Sequence, residues 1–225
     1  MDFKVAEHLH IEDNCKFCDI VSRKNTETYN SPIIETTSFI VIAGMGQICD
    51  GYLNICAKRH VVNLACLGDD ESFELKQLKN SVSALAFSAY KIFPWFFEHG
   101  DATEWIKGGG CISHAHMHVI PLPLTSLPRF LHKFDMIDLS HNTNYKNQLR
   151  TMAPYFFIEL ADGSKYATTQ IGLPCQFGRQ LVINEYGIKK KWDWRIYPTI
   201  DEMHVCIERY KKWRIQVSRQ HCTVK

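Results

Sequence analysis

The run His114-Ala115-His116-Met117-His118-Val119-Ile120 alternates imidazole with apolar side chains. In a strand, successive side chains point to opposite faces. The three rings therefore share one face, roughly 7 Å apart per step, and Ala115, Met117 and Val119 share the other. The apolar set must pack on a core, and imidazoles on an apolar strand cost free energy unless they bind something. Histidines grouped in this way have two common uses, metal binding and chemistry on anions. Neutral imidazole is a nucleophile near pH 7, because its reference pKa of about 6.5 leaves much of it unprotonated. Attack on phosphorus gives a phosphoramidate, which splits one hard displacement into two easier ones. A neighbouring histidine can donate to a phosphate oxygen or to the leaving group. Gly108-Gly109-Gly110, just ahead of the run, let backbone N–H groups approach a phosphate. A surface cluster with incidental metal affinity is the competing reading, and the strict alternation with apolar residues argues against it.

The rest of the chain alternates strand and helix signals. Residues 18–23 suit a short helix, and 33–34 and 39–43 read as strands, the second rich in β-branched and aromatic residues. Gly44, Gly46 and Asp50-Gly51 signal turns, so 52–57 is the returning strand of an antiparallel pair. Between 70 and 93, Phe73, Leu75, Leu78, Val82, Leu85, Ala89 and Ile92 recur at spacings of three and four. That pattern predicts one face of a long helix, capped by Asp69 or Asp70 and stopped by Pro94. Residues 95–98 and 112–120 are further strands. The stretch 121–147, dotted with Pro, Ser and Asn, reads as a long connection with little sheet. Segments 155–160 and 165–169, joined through Asp162-Gly163, predict a hairpin. Helices are expected over 174–186, with Pro at its start and Gly187 at its end, and over 199–213.

Composition narrows the function classes. A chain of 225 residues with 45% hydrophobic and 22% charged residues can bury a sizeable core. Its 26 basic and 24 acidic residues leave a net charge of +2, so nucleic acid is not an expected partner. The basic groups Lys189-Lys190-Lys191 and Arg209, Lys211, Lys212 and Arg214 read as solvated helix faces. The longest apolar stretch, 82–97, is interrupted by Ser83, Ser88, Lys91 and Pro94, so no membrane partner is expected. Residues 1–10 lack the pattern of a secretory leader. Nine cysteines without one suggest a reducing, cytoplasmic setting and argue against a disulfide scaffold.

With φ an apolar residue, 114–120 resembles the His-φ-His-φ-His-φ-φ signature of the histidine triad superfamily, which comprises nucleotide hydrolases and nucleotidyl transferases. The segment from Phe39 to His60, ending Asn54-Ile55-Cys56-Ala57-Lys58-Arg59-His60, resembles that family's strand pair closing in Pro-Lys-x-His. Phe97-Glu98-His99-Gly100 is similar to a bacterial-type branch related to diadenosine polyphosphate hydrolases, as is the tail 173–179 with Trp192-Asp193-Trp194-Arg195. The resemblance implies that His116 becomes nucleotidylated and that His118 binds and polarises the phosphate. Gly109, Gly110 and Cys111 would lie at the phosphate, Cys111 standing where many relatives have a hydroxyl donor. Ile42 and Phe39 would wall a base, although core packing explains both equally well. Gly44 occupies the place of a ribose-gripping Asp in small relatives. The third histidine stands where uridylyltransferases usually carry Gln, which favours hydrolysis.

Cys15-Lys16-Phe17-Cys18 offers two thiolates of the four N/S ligands that Zn2+ takes in a tetrahedron. His60 and His114 are the best candidates to complete the set, with His8 and His10 as weaker competitors. The same four places resemble the ligands of zinc-containing histidine triad proteins, where the metal is structural. A redox pair or two metal-free thiols is the alternative.

The resulting expectation is an α+β chain. Residues 1–125 would form a catalytic domain with an antiparallel sheet of about five strands and a long packed helix. Residues 126–225 would form a helical and hairpin extension packed on it. The strand number and a homodimer are implied by the resemblance alone. The expected activity is hydrolysis of a nucleotide phosphate through nucleotidyl-His116, the substrate being a dinucleoside polyphosphate, a nucleoside phosphoramidate or a nucleotide sugar. Nucleotidyl transfer or phosphorolysis, a non-catalytic nucleotide-binding module, and a hydrolase with a catalytic zinc are the alternatives.

Overall fold

The structure is a computed structural model. It describes residues 14–103, 105–106, 109–123, 131, 133–169 and 173–222, with side chains as far as 214. His8, His10, Gly108, His132 and the side chain of His221 lie outside the described residues.

The chain is mixed α and β, built on one antiparallel sheet. In chain order the strands are β1 (Ile34–Glu35), β2 (Phe39–Ala43), β3 (Leu53–Ala57), β4 (Trp95–Gly100), β5 (His116–Ile120), β6 (Ile137–Asp138), β7 (Tyr155–Glu159) and β8 (Lys165–Thr168). The described sheet has eight strands in the order β1-β2-β3-β5-β4-β7-β8-β6, not about five. The expected hairpin of β7 and β8 forms and pairs with β4, from Phe96 opposite Glu159 to Gly100 opposite Tyr155. Side-chain parity explains the pairing. Tyr155 and Phe157 enter the core on one face of the sheet, whereas Phe156 and Ile158 enter the core on the other. A strand apolar on both faces belongs inside a sheet covered on both sides. The dipeptide Ile137–Asp138, within the expected connection, adds the last strand beside β8.

Five helices accompany the sheet among the described residues: α1 (Lys16–Val21), α2 (Asp69–Tyr90), α3 (Tyr145–Met152), α4 (Phe177–Glu185) and α5 (Ile200–Cys222). Helix α2 buries Leu75, Leu78, Val82, Leu85, Ala86 and Ala89 on the sheet. Phe73, expected on that stripe, is 66% exposed. The cap of α2 is Gly68 and not Asp69 or Asp70, because the Glu71 carboxylate reaches back to accept from the Gly68 N–H at 2.8 Å. The helix stops at Tyr90, before the expected 93, with Lys91 in the left-handed conformation. Helix α4 covers the opposite sheet face and can approach β4 because residue 178 is glycine. A Cβ there would lie 2.4 Å from the Phe97 ring. No helix among the described residues is long and apolar enough to cross a membrane.

Glu98 of β4 is a buried carboxyl that accepts from the Leu64 N–H and the Tyr155 hydroxyl, each at 2.7 Å. Burial pushes it from 4.5 up to about 8. Between those values the folded chain holds a proton that the unfolded chain has released. Stability therefore falls as pH rises through that window. Glu98→Gln is expected to flatten the dependence of the urea midpoint on pH between about 5 and 8. Leu78→Ala should cost ~2–5 kcal/mol in the same assay, whereas Phe73→Ala should change stability by no more than ~0.5 kcal/mol.

Candidate active site and metal centre

Strand β5 sits between β3 and β4, with Asn54 opposite His118 on one edge and Phe97 opposite His118 on the other. The strand begins at His116 and not at 112, but the alternation persists ahead of it. The Ala115 N–H donates to the Val61 carbonyl at 2.6 Å, and the Ala57 N–H donates to the Ala115 carbonyl at 3.1 Å. Ala115, Met117 and Val119 enter the core shared with α2. His116 and His118 line a cleft on the other face, and His114 turns to Cys15, Cys18 and His60.

Hydrogen bonds orient both cleft imidazoles and assign the His116 tautomer. His116 Nδ1–H donates to the His114 carbonyl oxygen at 2.6 Å, which leaves the Nε2 lone pair for the cleft. Burial holds this imidazole down to about 4, partly offset by that bond, so the ring is neutral near pH 7. Burial pushes the Tyr52 hydroxyl up, so it keeps its proton, and it shares a hydrogen bond of 2.5 Å with His118 Nδ1. Burial, then the neighbouring His116, His99 and Arg179, lowers the His118 pKa well below the usual value. Phe97 stacks on the His118 ring at 4.1 Å, and Phe17 lies 4.8 Å from the His116 ring. The site thus presents the His116 lone pair beside the His118 ring, with centroids 4.8 Å apart.

Ile42 and Gly110 line the cleft as expected, and His99 lies there too. Phe39 does not; it is fully buried in the opposite core. Positions 39 and 42 differ in parity, so one strand cannot aim both at one face. Gly109 lies beneath the tail, its carbonyl accepting from the Gln176 N–H at 2.7 Å. A Cβ on Gly44 would fall 2.1 Å from the Tyr52 ring, so the ring takes the space that an acidic side chain would need.

Cys111 lines the cleft, but its sulfur is bonded to that of Cys175. The expected thiol donor is therefore absent. The expectation of reduced cysteines fails at this pair, while Cys15, Cys18, Cys49, Cys56, Cys66 and Cys206 are not disulfide-bonded. The bridge joins the segment before β5 to the segment before α4, which is why a tail read as packing reaches the site. Gln176, Arg179 and Trp194 line the cleft, with the Lys16 ammonium 4.2 Å from the Trp194 ring centroid. Arg179 is buried and donates to the carbonyls of Met45, Gly46 and Trp192. Tyr52 and Asn54 were missed as cleft residues. Only the strand parity shared with Cys56 marked them, and parity does not say which face holds a ligand.

The four expected metal ligands converge. Cys15 Sγ lies 3.3 Å from His114 Nδ1, Cys18 Sγ lies 3.3 Å from His60 Nδ1 and 3.6 Å from His114 Nδ1, and the two Nδ1 atoms are 3.2 Å apart. Tetrahedral Zn2+ with Zn–S near 2.3 Å and Zn–N near 2.05 Å needs donor separations of roughly 3.3–3.8 Å. The donor set fits zinc. His114 Nε2–H donates to the Ala57 carbonyl at 2.7 Å, fixing the tautomer that turns the Nδ1 lone pair toward the other donors.

No family model matches the chain, and no curated protein matches it. Among solved structures it is similar to a hypothetical histidine triad nucleotide-binding protein from Sulfolobus tokodaii, at 26% identity and a TM-score of 0.40 over 48% of this chain and 68% of that one. It is similar to a Zn-bound histidine triad family protein from Mycobacterium smegmatis, at 19% identity and 0.38 over 50% and 77%. A HIT family hydrolase from Clostridium thermocellum is similar at 18% and 0.39 over 51% and 95%.

Purified chain is expected to carry a single zinc ion, and Cys15→Ser/Cys18→Ser to carry almost none and melt at lower temperature. Cobalt substitution checks the ligands. The wild-type spectrum should show tetrahedral d–d bands with thiolate charge transfer, which the double variant lacks.

Proposed function

We propose that the chain hydrolyses a nucleotide at its α-phosphate through a covalent nucleotidyl-His116 intermediate. The observation that carries this reading is His116 with its Nε2 lone pair free for the cleft and the His118 ring 4.8 Å away in the same cleft. In the first step His116 Nε2 forms a bond to phosphorus and the bond from phosphorus to the leaving group breaks. The leaving group departs with the electron pair. His118 Nε2–H donates to a non-bridging phosphate oxygen and takes up the charge that develops there. The His116 Nδ1–H stays on the His114 carbonyl and steadies the positive charge on the attacking ring. Water then attacks phosphorus and gives up a proton to solvent, the P–N bond breaks with its electron pair returning to Nε2, and nucleoside monophosphate leaves with the neutral imidazole restored.

Apolar walls from Ile42, Phe17 and Ile20 suit a base, in keeping with a dinucleoside polyphosphate, a nucleoside phosphoramidate or a nucleotide sugar as substrate. Zn2+ on Cys15, Cys18, His60 and His114 would tie the segment around α1 to the start of β5. All four ligand places would be protein, so the metal would be structural. We further propose that residues 1–125 supply the catalytic half, that 126–225 close the cleft through the tail, and that the chain works as a cytoplasmic homodimer.

A non-catalytic nucleotide-binding module is the second reading, favoured by the missing donor at Cys111 and by Tyr52 filling the space beside Gly44. Release of nucleoside monophosphate from a panel of these nucleotides separates the two. Wild type should release it, and His116→Ala should lose at least ~1000-fold in rate while retaining nucleotide affinity. Equal release by both proteins removes His116 from the nucleophile's role. Binding without release by wild type supports the module, unless an added acceptor starts turnover and points to transfer.

A further inference from the structure

The strand that presents His116 and His118 to the cleft presents Met117 to a second cavity on the opposite face of the sheet. This cavity, of about 220 Å³, lies between α2, α3 and the sheet. An apolar cavity of about 150 Å³ can hold a ring the size of benzene, so the space admits a small organic molecule. Its floor is apolar, from Leu75, Met117, Leu149 and Phe157. Its rim carries Lys76 and Lys79 of α2, Lys146 of α3 and Lys165 of β8.

The charges on that rim do not balance. Lys79, itself buried, pairs with Glu159. Lys146 donates to the carbonyls of Leu67 and Gly68 and to Ser72 Oγ, all neutral groups. Asp69 and Glu71 act on Lys146 from outside the cavity, and Glu71 is already committed to Arg59. Lys165 donates to the Gly163 carbonyl, with its ammonium 5.4 Å from the Tyr145 ring. Lys76 has no hydrogen bond or ion pair among the described residues. The remaining carboxyl in the lining, Glu98, is protonated near neutral pH because burial pushes it up to about 8. Burial depresses Lys79, and Lys165 and Lys76 repel it further. Ammonium groups gathered around an apolar space raise the affinity for an anion that enters it. With Lys79 paired to Glu159, Lys76 and Lys165 are two ammonium groups with no carboxylate partner among the described residues, which suits a dianion.

We propose that this cavity is a binding site for a small organic phosphate, with the dianionic head between Lys76 and Lys165 and a compact apolar body on Met117 and Phe157. The site is separate from the histidine cleft and does not rest on the function proposed for it.

Two methionines make the test local, because Met117 lies in this cavity and Met45 lines the histidine cleft. The full chain is labelled with methyl-13C methionine, both resonances are assigned by substitution to Leu, and phenyl phosphate is titrated in. The Met117 methyl should shift saturably, and Lys76→Ala/Lys165→Ala should weaken that response at least tenfold with no change in melting temperature. Inorganic phosphate should act more weakly, and phenol should have no effect. Movement of Met45 alone, or a Met117 response unchanged in the double variant, overturns the proposal. Inorganic phosphate binding as tightly as phenyl phosphate overturns the organic part of it.

Discussion

Strand β5 is hydrogen-bonded along both edges, to β3 and to β4, and its register decides what each face of the molecule can do. A slip by one residue would exchange the imidazoles with Ala115, Met117 and Val119, sending polar rings into the core under α2 and methyls into the cleft. The pleat allows no intermediate. Burial of the apolar set on α2 therefore holds the histidines where they are, and the packing core and the cleft imidazoles are two sides of one strand.

Around that strand the site gathers residues distant in sequence. Cys15 and Cys18 meet His114 from near the N-terminus, and Gln176, Arg179 and Trp194 arrive from beyond the described sheet. Each arrival is held by local bonds: the Ala57 carbonyl on His114, the disulfide on Cys175, and three backbone carbonyls on Arg179. Orientation of the two cleft-facing rings needs two more partners, the His114 carbonyl and the Tyr52 hydroxyl.

What was legible in the sequence follows periodicity. Alternation exposed the histidine face, spacings of three and four exposed the buried stripe of α2, and the C-x-x-C pair with two histidines exposed a donor set that does converge. The resemblance supplied the roles of His116 and His118 and a strand number that proved too small. Pairing of β7 with β4 joins residues some sixty apart, and nothing local encodes which edge a hairpin will take. Isolated dipeptides such as Ile137–Asp138 are too short to carry a period. Phe39 was legible in principle, since its parity differs from that of Ile42. Tyr52 was harder. Its role is a hydrogen bond to a residue 66 positions away, and its ring size shows only through the glycine opposite.

The bridge between Cys111 and Cys175 gives this chain sulfur in two oxidation states within one fold. Cys15 and Cys18 must stay thiolates to hold a metal, yet a C-x-x-C pair is itself prone to close on oxidation. Coordination withdraws the thiolate lone pairs from that exchange. Zn2+ on Cys15 and Cys18 would therefore protect that pair while the other closes, and an oxidant met before the metal would seal the site as a second disulfide.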